Sequence, residues 1–286
     1  AHSHRVPLVF GGDFFHNPNG ISNSLFNLVL PHLVDLFNRY DVELYAISGN
    51  HDLEGVNTRN LPSPSYILGL SNIFENFHCI DFQSIAFDSF TIHGIPYISH
   101  NEDYSEIVKD IKISDPDTCN ILLNHTDYVG QKDTNGIVIG KGENINEKLF
   151  DRFDLVLSGH VHKHGKLQKK VISIGSTHQQ RSSDMGGEFG YYLLRENKRG
   201  NIGVRFKEFT DTPKFRHVKN LSQITNDTDF WIKLSGDKDD IVELLEIEED
   251  TQDYPKIVSS YSEQYRLPRS KRAVLSGLVN RVTDED

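Results

Sequence analysis

Val6-Pro7-Leu8-Val9-Phe10-Gly11-Gly12-Asp13, residues 6–13, is a short apolar run that ends in two glycines and a carboxylate. Such a run reads as a buried strand stopping at a sharp turn, where glycine lets the backbone approach a neighbour closely. The pattern recurs three times. VELYAI at 42–47 runs into Ser48-Gly49-Asn50-His51-Asp52, ILL at 121–123 into Asn124-His125, and LVL at 155–157 into Ser158-Gly159-His160-Val161-His162. In open α/β sheets, sites form at the carboxyl ends of strands. Asp13, Asn50, His125, His160 and His162 can therefore converge on one point from four strands.

Between these anchors, apolar runs alternate with helix-like segments. Ser22 to Arg39 has Leu25, Phe26, Val29, Leu33, Leu36 and Phe37 near helical spacing, and Tyr104 to Ile111 reads as a second helix. Ile80 to Phe87, Phe90 to Ile95, Val171 to Ile174, Tyr191 to Leu194 and Phe230 to Leu234 read as further strands. The alternation predicts an α/β layered architecture. After about Thr212 the texture changes. Residues 239–253 carry eight carboxylates and no basic residue, and Ile241, Val242, Leu244, Leu245 and Ile247 give that stretch one apolar helical face. Arg266, Arg269, Lys271 and Arg272 then precede a stripe of Val274, Leu275, Leu278, Val279 and Val282, which docks either on its own domain or on a partner helix.

The composition excludes several classes. With 286 residues, 37% hydrophobic and 25% charged, the chain is an ordinary globular mix of one large or two moderate domains. It contains no apolar run of the roughly 20 residues that span a membrane. Two cysteines, Cys79 and Cys119, make no disulfide framework, which points to a reducing cytosol. The net charge of −11 argues against nucleic-acid binding by bulk electrostatics, so a phosphate-handling protein of this charge needs metal ions, a local basic patch or a partner.

The donor set of three imidazoles, one carboxylate and one amide oxygen suits Mn²⁺, Fe²⁺, Zn²⁺ or Mg²⁺ and not an iron–sulfur cluster. A carboxylate such as Asp13 can bridge two cations, and two ions about 3.5–4 Å apart are a device for phosphoryl esters. His51, immediately after Asn50, would project beside them as a candidate general acid. His164 reads as a solvated or substrate-side group. His16, His93 and His100 fit no ligand slot. Lys166, Lys169 and Lys170 either touch a phosphate backbone or decorate a solvated hairpin. Gly136 to Lys141 has one residue too few for a phosphate-binding loop.

The series GGDFF, SGNHD, NH and SGHVH resembles the calcineurin-like metallophosphoesterase superfamily. Within it, Gly12-Asp13-Phe14-Phe15, Gly94-Ile95-Pro96-Tyr97 and Ile174-Gly175-Ser176-Thr177 resemble the Mre11/SbcD nuclease branch, including its phage recombination members. The resemblance covers roughly residues 6–218. It implies a two-sheet sandwich flanked by helices, with a smaller C-terminal α/β cap. The corresponding boundaries are 1–212 for the nuclease domain, 213–265 for the DNA-capping domain and 266–286 for the basic segment and amphipathic helix, with partner docking one of its two readings. It further implies that Asp13 bridges two ions, Mn²⁺ or else Mg²⁺. Asn50, His125 and His160 complete one ion's shell, His162 ligates the other, and His51 assists the leaving group. The implied activity is exonuclease and endonuclease cleavage of DNA in repair or recombination, by a homodimer with a Rad50/SbcC-like ATPase. Two alternatives stay open: a small-substrate phosphodiesterase or phosphatase, and a catalytically impaired DNA-binding scaffold. The superfamily's Asp-x-His motif on a first strand has no match here. His4 lies nine residues before Asp13, roughly 30 Å away along an extended strand. An upstream strand and helix carrying that motif are therefore expected.

Overall fold

A computed structural model describes residues 6–15, 21–55, 57–60, 63–98, 103–113, 115, 118–133, 136–139, 143, 147–180, 182–196, 202–212, 214–218 and 230–234. The chain begins with β1 (Leu8–Phe10), α1 (Asn23–Val34), β2 (Leu44–Ala46), α2 (Tyr66–Ile73) and β3 (Phe77–Cys79). β4 (Ser84–Ala86), β5 (Phe90–Ile95), α3 (Tyr104–Asp110), β6 (Cys119–Asn124), α4 (Glu147–Phe150) and β7 (Leu155–Ser158) follow. The described elements close with β8 (Gly165–Lys166), β9 (Val171–Ser173), β10 (Gly190–Glu196), β11 (Ile202–Glu208), β12 (Lys214–Val218) and β13 (Phe230–Leu234).

The described residues fall into two compact units. One comprises Ala1–Ile21, Phe26–Thr177 and Glu188–Glu208; the other comprises Ser22–Leu25, His178–Gly187 and Phe209–Asp286. The first unit contains a parallel sheet in the order β1-β2-β3 and a six-stranded mixed sheet in the order β4-β5-β6-β7-β9-β8. It also contains the antiparallel ribbon of β10 and β11. The second unit contains β12 and β13, paired in parallel from Lys214↔Phe230 to Val218↔Leu234.

Strand alternation builds the core. Along β6, Ile121 and Leu123 face one cluster, with Leu155 and Leu157 of β7 and Ile172 of β9. Val9 and Tyr45 of the three-stranded sheet and Tyr192, Leu194, Ile202 and Val204 of the ribbon pack on the same cluster. The intervening Leu122, Val156 and Val171 face a second cluster with Tyr104, Ile107 and Val108 of α3 and Leu149 and Phe150 of α4. Period-two alternation thus gives the six-stranded sheet two buried faces, one against strands and one against helices. An aromatic cluster covers the β1–β3 sheet: Phe37 lies 5.1 Å from Phe74 and 5.7 Å from Phe77.

Several expectations need correction. Residues 80–87 do not form one strand. A turn with Phe82 at φ 55° separates β3 from β4, and pairing resumes only at Ser84. The helix from Ser22 extends to Val34 and then widens into a π-helical turn over Asp35–Arg39. α2 was not anticipated, although Ser65 caps it by accepting from the Leu68 amide at 3.0 Å. His2, His4, His16 and His100, the acidic 239–253 stretch and the terminal stripe lie outside the described residues. Among the described residues, no helix is long and apolar enough to cross a membrane.

Candidate metal centre

Each predicted donor follows a strand end. Asp13 follows β1, Asn50 follows β2, His125 directly extends β6, and His160 follows β7 by two residues. Asp13, His125 and His160 bring one ligand atom each within 4.8 Å of the others. Asn50 joins them: its Oδ1 lies 3.1 Å from His125 Nε2 and 2.9 Å from His160 Nδ1. The two ring nitrogens are 3.2 Å apart, and Asp13 Oδ2 is 3.4 Å from His125 Nε2.

The hydrogen bonds dictate what these atoms can do. His125 is 1% exposed, and its Nδ1 donates to the Gly11 carbonyl at 2.6 Å. In the neutral ring that bond fixes the tautomer and turns the Nε2 lone pair toward Asp13 and Asn50. In its neutral form Nε2 joins Asn50 Oδ1 and Asp13 Oδ2 as three converging acceptors; without a cation, burial disfavours the charged ring, but the hydrogen bond and charge of Asp13 outweigh it and raise His125 above the usual histidine range. A divalent cation fits such a set, and an apolar or anionic ligand does not. Burial alone would raise the Asp13 carboxyl, but the hydrogen bond and charge of His125, with the His51 amide, hold it at about 2. Burial, reinforced by the charge of His125, pushes His160 well below the usual histidine range. At neutral pH Asp13 is thus ionised and His160 neutral, the forms able to bind a cation.

The backbone around the donors is unusual. Asp13 and His160 adopt φ of 59° and 74°, a left-handed conformation that costs a side-chain-bearing residue about 1–3 kcal/mol. Asp52, a residue without an assigned role in the sequence reading, holds the first of these turns. Its side chain is almost wholly buried. It accepts amides from Asp13 at 2.7 Å, Phe14 at 2.8 Å, Gly49 at 2.8 Å and Phe15 at 3.4 Å. One carboxylate thus ties together the two turns that carry Asp13 and Asn50. Burial, together with the charge of Asp13, raises Asp52 above its usual range. The only sequence signal was an Asp two positions after a ligand in a glycine turn.

Other neighbours support the site. The His51 amide donates to Asp13 Oδ1 at 2.9 Å. Asp81 receives the Ser48 amide at 2.8 Å and its hydroxyl at 2.6 Å. Tyr97 lies parallel to the His160 ring with centroids 6.1 Å apart and edge-on to His125 at 6.3 Å. Beneath His125, Asn124 donates to the hydroxyls of Tyr104 and Tyr128 at 2.7 and 2.9 Å.

The other residues singled out in the sequence lie around this group. His162 is half-buried on the loop after β7, where its carbonyl accepts the Ser176 amide at 3.0 Å, and it is not part of the convergent set. His164 is not a solvated group: its ring lies flat on Phe206, centroids 3.7 Å apart. Lys170 donates to the carbonyls of Asp151 and Phe153 at 3.1 and 2.8 Å, while Lys166 and Lys169 are exposed. His93 is a buried structural histidine between Ser84 and Asn120.

Residues 3–164 match the calcineurin-like phosphoesterase family. A protein named "Putative phosphoesterase 244L", from Invertebrate iridescent virus 6, is 26% identical over 217 residues, covering 73% of this chain and 72% of the relative.

Proposed function

This chain belongs to the calcineurin-like phosphoesterase family, and from that premise we propose that it is a metal-dependent phosphodiesterase that cleaves DNA. The convergence of Asp13, Asn50, His125 and His160 from four strand ends carries the hydrolytic reading. These four residues would hold one divalent ion, and His162 with Asp13 would serve a second, Mn²⁺ being the first candidate and Mg²⁺ the next. When bound, such ions polarise the phosphoryl oxygens and lower the pKa of water, so that a phosphodiester is hydrolysed to a phosphomonoester and a free hydroxyl. Asp13 stays ionised throughout. His125 presents Nε2 because the Gly11 carbonyl holds its other proton. His51 gives its proton to the departing oxygen. The choice of DNA rests on the resemblance of the GGDFF, GIPY and IGST segments to the Mre11/SbcD branch. Homodimerisation, a Rad50/SbcC-like ATPase partner and a cytosolic location belong to the same proposal.

A second reading has its own support: the viral relative's name speaks of a phosphoesterase and no nucleic acid. Digestion of end-labelled duplex DNA with Mn²⁺, run beside p-nitrophenyl phosphate esters, separates the two. DNA cleavage that is lost in Asp13→Ala is the expected result. His51→Ala should keep its metal while activity falls about 100-fold or more. Ester hydrolysis without DNA cleavage would assign the protein to the small-substrate phosphoesterases.

A further inference from the structure

The β10–β11 ribbon has two faces of different chemistry. Its inward face, Tyr192, Leu194, Ile202 and Val204, packs on the core. The same face is fastened to the loop that begins at His160. Phe206 stacks on His164, and the Tyr192 hydroxyl lies 3.1 Å from His164 Nδ1. The outward face is set by the register Tyr191↔Lys207, Leu193↔Arg205 and Arg195↔Gly203. Tyr191 and Leu193 are 41% and 43% exposed, and Arg195 and Arg205 are exposed beside them. This face carries three cations and no carboxylate, in a chain whose net charge is −11. Glu196 and Glu208, at the strand ends, lie in the inward register. Among the described residues, no carboxylate pairs with Arg195, Arg205 or Lys207. Lys163, on the fastened loop, is also exposed.

We propose that this ribbon face grips a single-stranded nucleic-acid segment, with Arg195, Arg205 and Lys207 on successive phosphates and Tyr191 and Leu193 against a base. Charge complementarity selects the occupant. On this outward face three cations that pair with no carboxylate among the described residues stand together in an acidic protein, and the exposed Tyr191 ring among them offers a sequence-tolerant stacking surface. A glycine opposite Arg195 leaves room for a chain to lie across the ribbon. The inference rests on the nucleic-acid reading of the metal centre and gives it a substrate-binding surface.

The test is fluorescence anisotropy of the full chain with a labelled single-stranded oligonucleotide, without divalent metal, across a salt series. Arg195→Gln/Arg205→Gln/Lys207→Gln should weaken binding tenfold or more and reduce the magnitude of the slope of log K against log salt by about 2, the counterions of three phosphate contacts. Tyr191→Ala should weaken it about fivefold with the slope unchanged. Both variants should hydrolyse p-nitrophenyl phosphate esters at the parent rate, which shows that fold and metal centre persist. An unchanged slope in the triple variant, or no binding by the parent chain at about 50 mM salt, would overturn the proposal. Face-dependent binding without Mn²⁺-dependent DNA cleavage would support the ribbon and overturn the nuclease reading.

Discussion

Gly49 occupies a point where no side chain fits. A Cβ there would lie 2.7 Å from His125 Cε1 and press on both the amide and the carboxylate of Asp13. Gly12 has the same problem from the opposite turn, 2.5 Å from His125 Nδ1, and its φ of 93° also disfavours a side chain. Gly49→Ala should therefore move ligand atoms rather than empty a cavity. Mn²⁺ affinity, measured by calorimetry, is expected to fall about 10- to 100-fold, the range for altered support of a metal ligand. Unchanged affinity would mean that the turn yields without moving Asp13 or His125. At this scale Asp13, Asn50 and His160 were legible because each follows a glycine just past a strand end, and His125 because it directly follows one. Asp52 was not, because a carboxylate that gathers four amides becomes visible only when residues 13–15 and 49 are in one place.

β6 shows why some elements were easy to read and others were not. Both of its neighbours are parallel strands and all six of its residues are buried, so its apolar run stands out in the sequence. α2 has eight residues, includes Gly69 and follows Pro62 and Pro64, so propensity argues against it; its helix exists through the Ser65 cap and buried Ile67 and Leu70. Residues 80–87 looked continuous because the apolar pattern does not register a left-handed Phe82. The β4–β5–β6 pairing also has a pH dependence. His93 on β5 accepts from Ser84 at 2.7 Å and donates to Asn120 at 3.0 Å. Burial, opposed by the Asn120 bond, lowers its pKa below the ordinary value. The unfolded chain then binds this proton more readily, so the stability supplied by neutral His93 is present above about pH 6.5 and declines as pH falls from there through the lower folded value. Urea unfolding at pH 8 and pH 5 should show the parent losing more stability than His93→Gln over that interval. Parallel losses would remove His93 from the account.

For the whole molecule, the layered α/β arrangement follows from the alternation of runs. The details of sheet order do not, since β8 and β11 have weak apolar patterns and β12 pairs with a strand beginning at Phe230. Donors from four distant segments give the metal centre a role in stability. An ion that binds only the folded chain adds about 2.7 kcal/mol at a hundredfold excess over its Kd. For a chain of this size that raises Tm by about 5 °C or more. Mn²⁺ should produce this rise in calorimetric scans, EDTA should reverse it, and Asp13→Ala should lack it. A rise that persists in Asp13→Ala would place the ion elsewhere.

Asn50 lies 75 residues before His125 and 110 before His160, yet one amide oxygen reaches both rings. Topologically the site is a knot of contacts: an ion seated there closes several long loops of chain at a single point, as a branched cross-link would. Turns on the β1–β3 sheet supply two of its strands and the six-stranded sheet supplies the other two, so the clasp runs from sheet to sheet. Sliding one sheet over the other by a single residue would carry two donors away from the other two, and the catalytic centre thereby becomes a gauge of the register between layers.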